Sequence, residues 1–167
     1  RFRRAAGPDA VLLEFGLRRA QGPDGAMTAS RYCYMGGFDG TSNVLAAKMY
    51  GVPVKGTHAH AFVCSYSSLS DLNSTVLPRA KGVEGVEGVE GVGEEDFVAA
   101  VLALRERWQW TSTNDGELAA FISYAQAFPE NFLALVDTYD TLHSGVRNFL
   151  VVAYCLHRRG YTPVGVR

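Results

Sequence analysis

The sequence predicts an α/β protein with parallel strands, on three observations. Short apolar runs recur at 11–15, 52–54, 132–136 and 162–166, each of strand length. Helix-period patterns stand between them, the alternation expected of βα units whose strands pair in parallel. Of the 167 residues 47% are hydrophobic and 20% charged, enough apolar material for a core and outside the range of disordered chains.

Taken in order, the elements each have a local reason. The run at 11–15 ends in Glu14-Phe15-Gly16-Leu17-Arg18-Arg19, where an apolar stretch gives way to Gly and Arg. A helix is predicted from near Thr41 to Gly51, the glycine acting as its stop, and the strand 52–54 follows. Glu94, Glu95 and Asp96 open a helix whose face is Phe97, Val101 and Leu104, acidic residues being favoured at the positive end of the helix dipole. Asn114 and Glu117 make a capping-box-like start, after which Leu118, Phe121, Ile122 and Ala125 recur at helical spacing until Pro129. Ser144 is placed to cap a helix carrying Val146, Phe149, Leu150 and Ala153, closed by His157, Arg158, Arg159 and Gly160. Between them the triplet Gly-Val-Glu occurs three times within 82–93. That stretch has no period able to pack, so residues 81–93 are expected to form a low-complexity surface insertion.

A formal net charge of −1 argues against a broad basic surface for nucleic acid, so any anionic ligand has to be met by local Arg or backbone N–H groups. Cys33, Cys64 and Cys155 are odd in number and far apart, which fits reduced thiols and a cytosolic location. No apolar run approaches the roughly 18 residues of a membrane span. The chain opens on Arg1 and closes on Arg167 just after a strand-like run, and it is expected to be a fragment, residues 1–167 being the central part of a longer barrel domain.

The chemistry sits where strand-like runs end, as ligand sites do in α/β proteins. Arg18 and Arg19 can fork onto a carboxylate or phosphate, and Phe15 offers a flat face, though paired Arg residues are commonly plain surface. Gly36-Gly37-Phe38-Asp39-Gly40-Thr41-Ser42-Asn43 reads either as an anion-binding helix start or as a turn with an N-cap. Thr57-His58-Ala59-His60 leaves three roles open for its imidazoles, namely metal ligand, structural residue and catalytic base or nucleophile. Asp137, in Leu135-Val136-Asp137-Thr138-Tyr139-Asp140, is able to orient an imidazole or to cap the next helix.

Together these segments resemble one family. Glu-Phe-Gly-x-Arg-Arg, Gly-Gly-Phe-x-Gly-Thr-Ser-Asn-Val, Gly-x-Pro-Val-x-Gly-Thr-x-Ala-His, Leu-Val-Asp-Thr-Tyr-Asp and the final Gly-Val-Arg stand here in the order and wording of the nicotinate phosphoribosyltransferases. The likeness covers nearly the whole chain, with the Gly-Val-Glu stretch as the departure.

The resemblance implies an irregular, incomplete α/β (TIM-like) barrel cut at both ends here, in a homodimer whose active site is shared between subunits. It implies a reaction of nicotinate with 5-phosphoribosyl 1-pyrophosphate, using Mg²⁺ and coupled to ATP through a phosphohistidine. On the family pattern His60 is the phosphorylated residue and Asp137 orients it. Thr57 and Arg167 are expected to bind nicotinate, Phe15 to stack on its ring and Arg18 to meet a carboxylate or phosphate. Ser42 stands where the related nicotinamide enzymes carry Asp, and a hydroxyl facing the ligand favours the acid over the amide. A silent fragment that only binds or dimerises is the other reading, since the resemblance implies further catalytic residues beyond Arg167.

Overall fold

The computed structural model describes residues 1–81 and 96–167. The Gly-Val-Glu stretch expected as a surface insertion therefore lies, apart from Lys81, outside the described residues. Two compact units are present, Arg1–Gly56 and Thr57–Arg167.

In the first unit the order is α1 (Phe2–Ala6), β1 (Leu13–Glu14), α2 (Gly22–Met35), β2 (Gly40–Thr41) and α3 (Val44–Tyr50). The strands β1 and β2 pair in parallel, and Thr41 bridges in parallel to Val54 on its other side. The predicted run at 11–15 holds the parallel strand β1, while the run at 52–54 contributes only a single parallel bridge at Val54, with β2 between them. That strand has no local signal in the sequence, because Gly40-Thr41 has no apolar run of its own. The helix predicted from near Thr41 begins at Val44 instead. Thr41 is in the strand, and the cap is Asn43, whose side-chain oxygen accepts from the Ala46 N–H. Gly51 ends this helix at φ 67°, a left-handed conformation that glycine adopts without strain. The long α2 went unpredicted too. It buries only Ala26 and Ser30, so its sequence carries no apolar stripe.

The second unit contains α4 (His60–Cys64), α5 (Phe97–Arg107), α6 (Asp115–Ala127), β3 (Leu133–Ala134), α7 (Val146–Arg158) and β4 (Gly165–Val166). Its core joins α5, α6 and α7 through Phe97, Val101, Phe121, Ile122, Val152 and Leu156, all fully buried. The strands β3 and β4 pair in parallel, Leu133 opposite Gly165 and Ala134 opposite Val166.

The start of α7 departs from expectation. Asp140, not Ser144, is the cap, accepting from the N–H groups of Leu142 and His143, and a π-helical turn Thr141–Gly145 leads into the helix. Ser144 Oγ instead donates to Glu117 Oε2 at 2.6 Å and accepts from Asn114 N–H at 2.9 Å. The capping box at α6 is consequently half formed. Asn114 accepts from Glu117 N–H, but the Glu117 carboxyl turns inward, wholly buried, to take Ser144 and Asn148. Gly145 is required where it stands, for a Cβ there would lie 1.9 Å from the carbonyl oxygen of Val136. Among the described residues no helix is long and apolar enough to cross a membrane.

Candidate functional site

Three of the sequence-predicted site residues lie in the first unit. Phe15 leaves β1 as an exposed residue, 42% accessible. Gly56 is its neighbour, since a Cβ built there would stand 3.8 Å from Phe15 Cζ and 3.9 Å from Ser42 Cβ. Phe15, Ser42 and Gly56 therefore form one small cluster at the ends of the strands. Arg18 stands exposed on the short 3₁₀ turn Leu17–Arg19 that follows.

The Gly-rich segment before Ser42 does not offer the backbone donors expected of an anion site. The N–H groups of Gly37, Phe38, Asp39, Thr41 and Ser42 go to the carbonyls of Tyr34, Cys33, Leu12, Pro53 and Glu14, and that of Asn43 goes to Thr41 Oγ1. Thr41 Oγ1 in turn donates to Glu14 Oε2 at 2.6 Å, as does Ser30 Oγ at 2.7 Å, while Gly16 N–H donates to Oε1. Burial raises the Glu14 carboxyl, but the hydrogen bonds from Thr41, Ser30 and Gly16 outweigh it and hold the group below its ordinary value. Glu14 is thus a buried carboxylate that fastens β1 to β2 and α2. Nothing in its local sequence marked that role, because its partners are 16 and 27 residues away.

The second unit gathers the rest at the C-terminal ends of β3 and β4. His60 opens α4, following Ala59 in extended conformation, and its Nε2 lies 3.0 Å from Asp137 Oδ1. Both side chains reach solvent, at 38% and 56% exposure. Asp137 is presented by a well-fixed backbone. The preceding Val136 donates its N–H to Arg167 O, Arg167 N–H donates to Ala134 O, and Gly145 packs on the Val136 carbonyl. Thr57 Oγ1 donates to the His58 carbonyl at 3.2 Å and Arg167 Nη2 donates to the same oxygen at 3.3 Å, so Thr57 and Arg167 are neighbours.

The two imidazoles of this segment are used differently. His58 is 8% exposed, and its Nε2 accepts the N–H of Leu135 at 3.1 Å. Burial lowers its affinity for a proton, the nearby Ala59 backbone opposes this, and the electrostatic influence of Arg167 and His60 lowers it further. His58 is therefore a neutral, structural ring, while His60 is accessible and paired with a carboxylate. Among the described residues, no group of three or more His, Cys, Asp and Glu side chains converges as a metal site would need. The helix-capping alternative for Asp137 falls to Asp140, whose carboxyl is held below its usual range by the His143 backbone N–H, the His143 ring and the Leu142 N–H.

Chemically, the second unit pairs an accessible imidazole with a carboxylate and gathers a guanidinium and a hydroxyl on the His58 carbonyl two residues before it. No family model matches the chain. Against curated proteins, the chain is 50% identical over 171 residues to the nicotinate phosphoribosyltransferase of Caenorhabditis elegans, covering all of this chain and 30% of the relative. It is 50% identical over 175 residues to nicotinate phosphoribosyltransferase 1 of Arabidopsis thaliana, again with 100% and 30% covered. To the nicotinate phosphoribosyltransferase of Homo sapiens it is 49% identical over 169 residues, with 100% and 31% covered. The crystal structure of human nicotinic acid phosphoribosyltransferase aligns with 99% of this chain and 33% of its own at a TM-score of 0.79 and 47% identity. The resemblance drawn from the motifs is borne out along the whole length of the chain. The chain spans about 30% of the length of the curated relatives it matches.

Proposed function

We propose that this chain is a piece of a nicotinate phosphoribosyltransferase. The complete protein joins nicotinate to 5-phosphoribosyl 1-pyrophosphate, releases pyrophosphate, and hydrolyses ATP to ADP and phosphate through a phosphohistidine at His60. This is the first step of NAD synthesis from nicotinate. The observation that carries the reading is the 3.0 Å contact between His60 Nε2 and Asp137 Oδ1 at a strand end, in a chain whose relatives bear that name.

The contact supports a specific chemistry. Asp137 accepts the Nε2 proton of His60, which leaves the lone pair on Nδ1 as the nucleophile. Nδ1 attacks the terminal phosphorus of ATP, the bond to the bridging oxygen breaks, and ADP departs with those electrons. The phosphorylated ring is then cationic, and its Nε2–H still faces the Asp137 carboxylate, which offsets the charge. Mg²⁺ accompanies the two polyphosphate substrates.

For nicotinate, the Arg167 guanidinium matches a carboxylate with two parallel hydrogen bonds, and the neighbouring Thr57 hydroxyl can donate to the same group. In the first unit, Phe15 with Ser42 beside it offers an exposed ring for stacking on an aromatic ligand, and Arg18 a guanidinium for an anion. A nicotinamide-using enzyme is not favoured, because Ser42 replaces the acidic residue expected to accept from an amide. The parallel pairings of β1 with β2 and β3 with β4 support an incomplete α/β barrel. By the same family likeness the complete protein is a cytosolic homodimer with a shared active site.

The test is phosphate transfer in the complete polypeptide. γ-³²P-ATP should leave acid-labile label in the wild type and, on long incubation, in His58→Ala, and none in His60→Ala, with the phosphate on Nδ1. His60→Ala should also uncouple ATP hydrolysis from nucleotide synthesis. Label that survives His60→Ala would sink the assignment, and a wild type unable to convert nicotinate would sink the function.

A further inference from the structure

His58 is a residue of this segment that the proposed chemistry does not use, yet its ring and its carbonyl are both held. Its ring packs against Phe62, Phe121 and Tyr124, with centroids 5.4, 5.8 and 4.8 Å away. Its carbonyl receives both Thr57 Oγ1 and Arg167 Nη2. Its Nε2 receives the Leu135 N–H.

The last contact is the informative one. Along a strand, successive N–H groups point to opposite edges. Val136 N–H and the Ala134 carbonyl face Arg167 on the β4 side, so Leu135 N–H faces the other edge. There the His58 imidazole takes the place that a neighbouring strand's carbonyl would fill. Leu135 is buried, and a buried N–H left without an acceptor is strongly disfavoured, so the ring is held in place by the strand's own hydrogen-bonding demand. Because Nε2 accepts, the ring is neutral and its proton sits on Nδ1. On one side of His58 stands Thr57, two residues along stands His60, and two residues beyond Leu135 stands Asp137.

We propose that His58 is a positioning residue: by accepting the Leu135 amide proton through Nε2, it pins the segment bearing Thr57 and His60 to the end of β3 and thereby sets His60 against Asp137. Part of this role, its effect on turnover, rests on the phosphohistidine reading. The geometric part does not.

Two substitutions separate the acceptor from the bulk of the ring. His58→Phe keeps an aromatic ring for the Phe62, Phe121 and Tyr124 contacts and removes the acceptor. His58→Gln places an oxygen the same number of bonds from Cβ as Nε2 and restores it. In the complete polypeptide, shown folded by circular dichroism, three quantities are read: Leu135 amide exchange, the His60 Nε2 ¹⁵N signal that reports its hydrogen bond, and the rate of His60 labelling from γ-³²P-ATP. His58→Phe should speed Leu135 exchange, shift the Nε2 signal to that of an unbonded ring, and slow labelling by about tenfold to a hundredfold, as small misplacements of a reacting group do. The nicotinate KM should change far less than kcat, and His58→Gln should recover most of all three losses. A folded His58→Phe with an unchanged Nε2 signal would overturn the inference, as would a His58→Gln no better than His58→Phe, since packing alone would then be the role. If the wild type takes no label while the Nε2 signal still follows the acceptor, the positioning role stands and the phosphohistidine reading fails.

Discussion

Replacing Asp137 by Ala in the complete polypeptide should slow phosphorylation of His60 by about tenfold. The 3.0 Å contact between His60 Nε2 and Asp137 Oδ1 belongs to the class of hydrogen bonds to charged groups, which contribute about 1.5–3 kcal/mol. The lower end applies, because the two side chains are 38% and 56% exposed and water replaces part of the lost interaction. A loss of ~1.5 kcal/mol corresponds to roughly a tenfold change in rate. The physical cause is electrostatic: the ring becomes cationic as Nδ1 takes the phosphoryl group, and without the carboxylate that charge is no longer offset. Rapid-quench labelling with γ-³²P-ATP measures the rate directly. Asp140→Ala is the matched comparison, since Asp140 lies in the same loop but serves the turn, through the Leu142 and His143 N–H groups and the His143 ring. Loss of that cap should lower stability by about 1 kcal/mol. Labelling should stay within about threefold of the wild type, a barrier change well under 1 kcal/mol. Folded Asp137→Ala protein that labels at the wild-type rate would refute the reasoning, as would an Asp140→Ala that slows labelling equally.

Two more outcomes are expected. Arg167→Ala should raise the nicotinate KM while leaving the KM for phosphoribosyl pyrophosphate nearly unchanged, the lost charge-assisted pair being worth roughly 1.5–3 kcal/mol; steady-state kinetics with an unaltered nicotinate KM would remove Arg167 from the site. Glu117→Gln should show an effect of pH on stability. Burial raises the Glu117 carboxyl above its ordinary 4.5, hydrogen bonds from Ser144 and Asn148 oppose this, and the charge of Asp140 adds to it. A carboxyl raised on folding contributes stability that is full below its unfolded value and is lost as pH rises through the folded value. The Gln variant has no such loss, since its amide does not ionise. Its denaturant midpoint should therefore exceed the wild type's at neutral and alkaline pH, with the advantage shrinking as the pH falls toward 4.5. A difference that does not vary with pH would show that Glu117 ionisation is not coupled to folding.

The α/β character, the parallel strands within three of the apolar runs, and the bodies of helices α5, α6 and α7 are legible in the linear sequence, because each rests on local periodicity. The motifs were legible for a related reason: the chemistry of a strand-end site is written in short contiguous segments, so Gly56-Thr57-His58-Ala59-His60 and Leu135-Val136-Asp137 could be read without coordinates. What local pattern did not show was β2, whose two residues carry no apolar run, and α2, which buries only small side chains. Nor could it decide between long-range partners. Asn114 and Glu117 have capping-box spacing, yet the Glu117 carboxyl turns to Ser144, 27 residues on, because a buried carboxyl takes donors wherever the packing brings them. His58 and His60 are two imidazoles of equal intrinsic chemistry, two residues apart. Only the tertiary structure, by placing one against a strand N–H in the interior and the other against a carboxylate at the surface, made the first a neutral anchor and left the second open to solvent.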